Sequence, residues 1–361
     1  MERNFSAVER FVDRIVDESQ VNGAGIAIAI DGELVFQYLR GEAAPGTPAT
    51  EQTLWPLASI AKSYTASAVM SLIEEGRLGM RSKPSAVFPE FTGDGREEIT
   101  LRHLLTHTSG LPMGPPNSDE LEKAGASAEE RIAHAYTDAL LFAPGTGQSY
   151  SDTGYGLAGL MAARVAGVSF PELLRARVFE PAGLSETYID LSTELLPRVA
   201  DVAGTDGKAI DWGAQIGHPS YGVAATVSDL LRFLLHFDPS SDLRLHSKAG
   251  MRTMSTDQTE TFHGTAEDFP IAKWGAGFQL QSGWGVTGLG ANDSFGHLGG
   301  TGVVGWMSPV DAVSVAFVSN RYYSGDPTSA ERLEQAVNLA IAAATAPLLS
   351  ERRVGFHGVR K

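Results

Sequence analysis

Leu54-Trp-Pro-Leu-Ala-Ser59-Ile-Ala-Lys62-Ser-Tyr-Thr65 is the stretch around which the chain is organised. Downstream of it, residues 63–75 carry Tyr64, Val69, Met70, Leu72 and Ile73 at roughly helical spacing, with neither Pro nor Gly. Pro56 stands just before, where a helix can begin but not run through. Ser59 is therefore expected at or near a helix N-terminus, with Lys62 one turn on along the same face. That placement suits nucleophilic catalysis. A serine hydroxyl attacks poorly until a base takes its proton, and a lysine one turn away can do so if burial lowers its pKa. Unpaired N–H groups at the helix start also favour negative charge developing nearby. A Ser-x-x-Lys string arises about once by chance in a chain of this length, so a serine that merely caps an amphipathic helix is the plainer reading of the motif taken alone.

The rest of the composition narrows the classes. The chain has 361 residues, enough for one large or two intimate domains. Its net charge of −15 and pI near 5.0 argue against nucleic acid or an anionic membrane surface as partner. With no cysteine, disulfides, thiolate zinc sites and cysteine nucleophiles are excluded. The first residues lack a signal-peptide pattern and no run of about 18 apolar residues occurs, so a cytoplasmic location is expected.

Working outward, residues 5–18 place Val8, Phe11, Val12, Ile15 and Val16 on one helical face. Residues 24–30 alternate small and β-branched types up to Asp31-Gly32, and a second strand follows from Glu33, which predicts a hairpin. From Gly76 to about Asp201 helices and loops are expected: a helix from Leu101 capped by Thr100, a surface loop over 112–126, a helix over 128–142, another opening at Tyr150 and running to Ala166, and a short one over 171–179. Beyond residue 204 strands return beside a helix over 228–237 capped by Ser228. A polar loop covers 255–272, a second hairpin joins 303–308 to 313–318, and a helix spans 330–346. The basic tail, 351–361, is expected to be disordered. Residues 1–55 and 205–350 would thus form an α/β (α+β) domain from both termini. Residues 56–204 would form a mainly helical one, with the Ser59 helix at the cleft between them.

Other motifs compete and fail. Gly154 to Gly159 and Gly300 to Gly305 both read Gly-x-Gly-x-x-Gly, but neither sits between a buried strand and a helix as a dinucleotide fingerprint must. His103 and His107 have metal-pair spacing but no acidic third ligand, so packing and hydrogen bonding are the expected roles. The motifs of α/β-hydrolases, zincins and phosphate-loop enzymes are missing. No metal or cofactor is called for.

Three further strings, taken with Ser59 and Lys62, resemble one family. Ile99-Thr-Leu-Arg-His-Leu-Leu-Thr-His-Thr-Ser-Gly-Leu-Pro112 is similar to the signature loop of the β-lactamase-related serine hydrolases, which include class C β-lactamases, DD-peptidases, D-aminopeptidases and carboxylesterases. Pro144-Gly-Thr-Gly-Gln-Ser-Tyr-Ser-Asp-Thr-Gly-Tyr155 resembles their Tyr-x-Asn region, and Phe295-Gly-His-Leu-Gly-Gly-Thr-Gly302 stands where their Lys-Thr-Gly strand does. Residues 170–184 and 222–230 extend the likeness, which spans roughly 20 to 345. The resemblance implies a transpeptidase-like fold, an antiparallel sheet flanked by helices with an inserted helical region. It makes Ser59 the acylated nucleophile, Lys62 its partner and Tyr150 a second general acid/base. Lysine and tyrosine both remain open as the acylation base. The backbone N–H groups of Ser59 and Gly300 would form the oxyanion hole.

Two positions depart from the lactamase pattern. His297 replaces the lysine, so a substrate carboxylate is attracted less. Asp152 replaces the asparagine, and an ionised carboxylate accepts hydrogen bonds but cannot donate them. As substrate-binding positions both point away from β-lactams and toward a smaller neutral ester, or a substrate with an amine near its acyl group. The expected partner is a small-molecule ester or amide, with a carboxylesterase as the first reading and a β-lactamase or D-amino-acid peptidase as the second. From another class, a binding or sensor module without turnover is the alternative. The oligomeric state is left open.

Overall fold

The computed structural model describes residues 3–204, 217–259, 272–282, 286–323 and 327–346. The expected loop over 255–272 falls mostly outside them, and the basic tail entirely so. Ten strands lie among the described residues: β1 (Gly23–Ile30), β2 (Glu33–Ala44), β3 (Thr47–Pro48), β4 (Trp55–Pro56), β5 (Thr187–Ile189), β6 (Val223–Ala225), β7 (Gln279–Leu280), β8 (Phe295–Gly299), β9 (Val303–Ser308) and β10 (Val313–Ser319).

β1 is buried along its whole length, and its alternation explains why. Ala24, Ile26, Ile28 and Ile30 pack with the terminal helices Ser6–Asp17 and Pro327–Thr345, while Ala27 and Ala29 join the core on the other face. Side chains alternate across a strand, so the bulky set fills one layer and the small set admits the helix Val227–Leu235 on the other. Asp31 and Gly32 turn β1 into β2 with φ of 52° and 79°, the left-handed pair that a two-residue hairpin requires. The sheet runs β3-β2-β1-β10-β9-β8-β7, with every neighbouring pair antiparallel. Its centre joins the two ends of the chain: Ala24 pairs with Ser319 and Ile30 with Val313. Asn320 secures that junction by accepting the Gly23 amide at 2.8 Å and donating to the carbonyls of Glu42 and Ala43.

A second, smaller sheet has the order β4-β6-β5. It draws residues 55–56, 187–189 and 223–225 together, so one strand lies inside the stretch expected to be helical. The helix that follows β4, Ala61–Glu74, is buried on nearly all faces rather than on one stripe. Small residues permit this. Ala61, Ser63, Ala66, Ser67 and Ala68 let neighbours come close, while the facing helix Asp152–Ala166 turns its own Gly154, Gly156 and Gly159 toward Leu104, Ile132 and Pro219.

Those glycines show what the first Gly-x-Gly-x-x-Gly string does. A Cβ at Gly159 would stand 2.6 Å from Pro219 Cβ and 3.0 Å from Phe170 Cε2. Gly159→Ala is therefore expected to destabilise the fold by about 1–3 kcal/mol through overpacking, despite a helix-propensity gain of up to ~1 kcal/mol. Thermal unfolding checks it: an unchanged or higher midpoint would show that the loop carrying Pro219 yields without cost.

Several expected elements differ. The helix over 128–142 is α-helical only through Ala128–Ile132 and tightens to a 3₁₀ turn at Ala133–Tyr136. The buried Arg96 guanidinium draws off the carbonyls of Ala135 and Asp138, removing the acceptors that a continuing helix would use. The expected loop over 112–126 contains a helix, Ser118–Lys123. A further helix, Lys248–Ser255, starts where the Ser247 hydroxyl accepts the Gly250 amide at 3.1 Å. The helix Val227–Leu235 is capped by Thr226, whose hydroxyl accepts the Asp229 amide at 3.2 Å, whereas Ser228 bonds to Gln37 on β2. No single described helix is long and apolar enough to cross a membrane.

Candidate active site

Ser59 lies in a 3₁₀ turn, Ala58–Ile60, that leads directly into the helix Ala61–Glu74. Ala58, just before it, has φ of +44°, a left-handed conformation that costs a residue with a Cβ about 1–2 kcal/mol. The surroundings hold it there. The Leu57 amide donates to the Val223 carbonyl at 2.8 Å. Thr301 Oγ1 donates to the Pro56 carbonyl, and a Cβ on Gly299 would stand 2.3 Å from the Leu57 oxygen. Only a glycine lets the end of β8 come this near the turn. Gly300 follows the last paired residue of that strand, and its carbonyl accepts the Tyr323 amide at 2.7 Å.

Ser59 is partly exposed while Lys62, one turn on, is fully buried. Lys62 Nζ lies 3.2 Å from Ser59 Oγ, 3.2 Å from the Ser220 carbonyl oxygen and 2.5 Å from Asp152 Oδ1. The Tyr150 hydroxyl shares hydrogen bonds with Lys62 and Ser59, and its ring centre is 4.8 Å from Nζ. Burial alone would push the lysine down, but the Asp152 carboxylate and then Tyr150 outweigh it, and the pKa ends above its ordinary value. Burial raises the Tyr150 phenol, with Lys62 opposing. The resting state is thus an ammonium beside a phenol, not a free amine.

Three imidazoles surround this group. His107 stacks on Tyr150 at 4.4 Å and accepts the Ser151 amide at Nδ1, 3.0 Å away. His218 accepts the Ser220 amide at 3.1 Å. His297, on β8, lies 6.4 Å from the Tyr150 ring and 5.3 Å from Trp274. Its Nδ1 is 2.6 Å from the Leu298 carbonyl, so Nδ1 carries the hydrogen and the buried Nε2 is left as an acceptor. Burial and the Lys62 charge lower His107 and His218 well below the usual imidazole value and His297 to about 3. All three are neutral at physiological pH.

Ser59, Lys62, Tyr150, Asp152 and His297 therefore come together, with the end of β8 at Gly300 packed on the Ser59 turn. Asp152 departs from its expected task, because its carboxylate is turned onto Lys62. His103 and His107 are not a metal pair. His103 Nδ1 accepts the Thr100 amide at 3.3 Å, and φ of +61° at His107 swings that residue away. No cluster of three or more metal-binding side chains occurs among the described residues.

Against known protein families, residues 8–339 match the one described as Beta-lactamase. The chain belongs to the β-lactamase family. This is a family of serine hydrolases. A β-lactamase of Escherichia coli (strain K12) is 28% identical over 230 residues, 63% of this chain and 59% of that protein. Penicillin-binding protein 4 of Amycolatopsis lactamdurans is 29% identical over 341 residues, 87% of each. Among solved structures, a penicillin-binding protein homologue from Caulobacter crescentus superposes with a TM-score of 0.79 at 28% identity, covering 94% of this chain and 97% of that one. With the first three curated β-lactamases the match covers 58–63% of their own length.

Within this β-lactamase-family site, the residues that sequence reasoning overlooked are Ser220, His218 and Trp274. Ser220 meets Lys62 through its main chain, which no side-chain pattern reveals. A signal did exist in Gly217-His-Pro-Ser-Tyr-Gly222, a turn dense in polar side chains directly before the matching string at 222–230. Gly217 has φ of 62°, and a Cβ on Gly222 would meet the His218 amide nitrogen at 2.5 Å, so the turn closes on itself. Thr65 of the Ser59 helix donates to the Pro219 carbonyl at 2.6 Å and locks the turn in place.

Proposed function

We propose that the protein is a carboxylesterase that cleaves small or medium acyl esters through an acyl-enzyme on Ser59. Ser59 Oγ attacks the ester carbonyl. Lys62 and Tyr150 move the proton from Ser59 to the leaving oxygen, and the Ser59 and Gly300 amides face the developing oxyanion. Water then repeats the sequence in reverse.

The observation that carries the choice of ester is the state of His297. A β-lactam needs a cationic or donating partner for its carboxylate, and here a neutral imidazole presents an acceptor nitrogen. Asp152 is engaged with Lys62 and supplies no amide donor. A net charge of −15 adds no long-range attraction for an anionic drug. An activated ester acylates serine with less help from the site than an amide needs. A second reading is an amidase for substrates with an amine near the acyl group, favoured by the same Nε2, which would accept the amine hydrogen.

The expected result is that kcat/KM for short-chain p-nitrophenyl esters exceeds that for nitrocefin by at least about 10²-fold, ~2.7 kcal/mol of transition-state stabilisation. Side-by-side kinetics with acetate and butyrate esters, nitrocefin and D-alanyl amides test it. Nitrocefin turnover equal to or faster than ester turnover would show the esterase reading wrong, and faster D-alanyl amides would favour the second.

A further inference from the structure

The Ser59 site is shut by aromatic rings at one end and open at the other, and an ester has two halves to place there. We infer that Trp274 selects the alcohol half, admitting slender or flat alcohols and turning away bulky ones, and that Gln148 holds it in position to do so. The inference rests on the carboxylesterase reading and deepens it, because it says which half of the substrate the site measures.

Four groups surround the carbon that Ser59 attacks. Oγ is the first, and the oxyanion facing the Ser59 and Gly300 amides is the second. On the mechanism proposed above, the leaving oxygen comes to the Tyr150 hydroxyl for its proton, so the alcohol lies on the tyrosine's side. That side is closed. The ring centres of Trp274, Tyr150 and His297 form a triangle with sides of 5.3, 6.0 and 6.4 Å. His107 packs against two of its corners, 4.4 Å from the Tyr150 ring and 4.5 Å from that of Trp274. Trp274, His297 and His107 are all buried, so an alcohol extending this way meets rings and not water. The acyl group takes the fourth direction, toward Asp152. There the Asp152 side chain is 30% exposed, and Met113, whose carbonyl accepts the Asp152 amide, is 49% exposed. One half of the ester is confined and the other is free to reach solvent.

The indole is held where it is by residues far away in the chain. Trp274 precedes β7, whose Gln279 and Leu280 pair with Gly296 and Phe295 beside His297. Side chains of the helical region then tie residues 272–277 across the cleft. Gln148 Nε2 donates to the Ala272 carbonyl at 2.8 Å, and its Oε1 accepts the Ala272 amide at 3.0 Å. A single amide thus serves both main-chain groups of one residue, as a paired strand would. Ser63, on the Ser59 helix, donates to the Gly277 carbonyl at 2.7 Å. A Cβ on Gly277 would stand 2.5 Å from Ala66 Cβ, a closeness that only glycine permits. Gln148 is buried and lies two residues before Tyr150. Through it the tyrosine that meets the leaving oxygen and the tryptophan that bounds the alcohol keep a fixed spacing. Hydrolysis itself asks nothing of this amide, which gives the selection of the alcohol as its use.

Two ester series test the inference, each rate corrected for alkaline hydrolysis of the same ester. One holds butyrate and varies the alcohol through n-propyl, isopropyl and cyclohexyl. The other holds n-propyl and varies the acid through acetate, butyrate and octanoate. In the wild type, kcat/KM for cyclohexyl butyrate is expected at least about tenfold below that for n-propyl butyrate, the low end of what a fitted pocket discriminates. Trp274→Ala opens a void on the order of 150 Å³, room for a six-membered ring. It should recover at least about tenfold of the cyclohexyl-to-n-propyl ratio, while the octanoate-to-butyrate ratio stays within about threefold of wild type. Gln148→Met keeps the length of the side chain and loses both bonds to Ala272, so it should move the alcohol ratio the same way by a smaller factor. Damage to the fold lowers both series together and leaves the two ratios where they were. A wild type that cleaves the cyclohexyl ester as readily as the n-propyl ester would overturn the inference. So would a Trp274→Ala variant that shifts the acyl ratio and not the alcohol ratio. If the alanine variant does not fold, Trp274→Phe decides: a shift toward cyclohexyl supports the inference, and a folded variant with the wild-type alcohol ratio overturns it. Failure of the carboxylesterase reading looks different, since the wild type would then hydrolyse no member of either series.

Discussion

Ser59→Ala is expected to fold as the wild type does and to lose at least about 10³-fold in kcat/KM on every ester the protein hydrolyses, as removal of a nucleophile does. The fold should survive because Ser59 is partly exposed and Lys62 keeps the Ser220 carbonyl and the Asp152 carboxylate as partners. Activity should not survive. Among the described residues, Ser59 alone joins a lysine one turn on with the head of a buried helix and a hydrogen-bonded tyrosine. Intact-mass spectrometry after a fluorophosphonate or a slow ester should place one adduct on the peptide containing Ser59. An adduct elsewhere, or an alanine variant that keeps its rate, would remove the acyl-enzyme from the proposed function.

Lys62→Met and Tyr150→Phe are expected to cost about 10²–10⁴-fold each in kcat, the usual range for general acid–base groups. Their effects should not add. Both side chains bond to Ser59 and to one another, so removing either leaves the proton with no complete route. The double variant should be little worse than the poorer single one. Strictly multiplicative losses, read from a cycle of the four proteins, would show two independent groups instead of one unit.

Much of this was legible in residue order. The terminal hairpins were readable because Asp31-Gly32 is a turn with a physical reason and the strands around it alternate in size. The Ser59 helix was readable from Pro56 and the uninterrupted stretch after Ser63. An amphipathic helix with one apolar stripe does not describe it, because polar Lys62, Ser63, Thr65 and Ser67 are buried too. Each of the first three has a partner supplied by the distant Gly217–Gly222 turn, Asp152 or Gly277. Tertiary partners of that kind leave no local periodicity. The overextended helix at 128–142 has the same origin: its end is set by Arg96, more than thirty residues earlier. The helix Lys248–Ser255 escaped notice because it is short and polar and is pinned from outside, with the Ser247 amide donating to Glu74 at 2.8 Å. Asp152 is the most instructive case. Its residue type argues against an amide's task, but which neighbour received the carboxylate depended on a backbone clamped by Met113 and Ser220.

The pairing of β1 with β10 also governs how this protein is born. β1 is wholly buried in the finished sheet, yet its partner for Ala24 is Ser319. At a synthesis rate of roughly 5–20 residues per second, the first hairpin leaves the ribosome about 15–60 s before the strand that will cover its open side. Through that interval an edge rich in isoleucine and alanine has only β2 beside it, the kind of surface that pairs with other chains if left exposed. Production of the protein should therefore be limited by what shelters residues 23–30 during translation, and less by the stability of the finished fold.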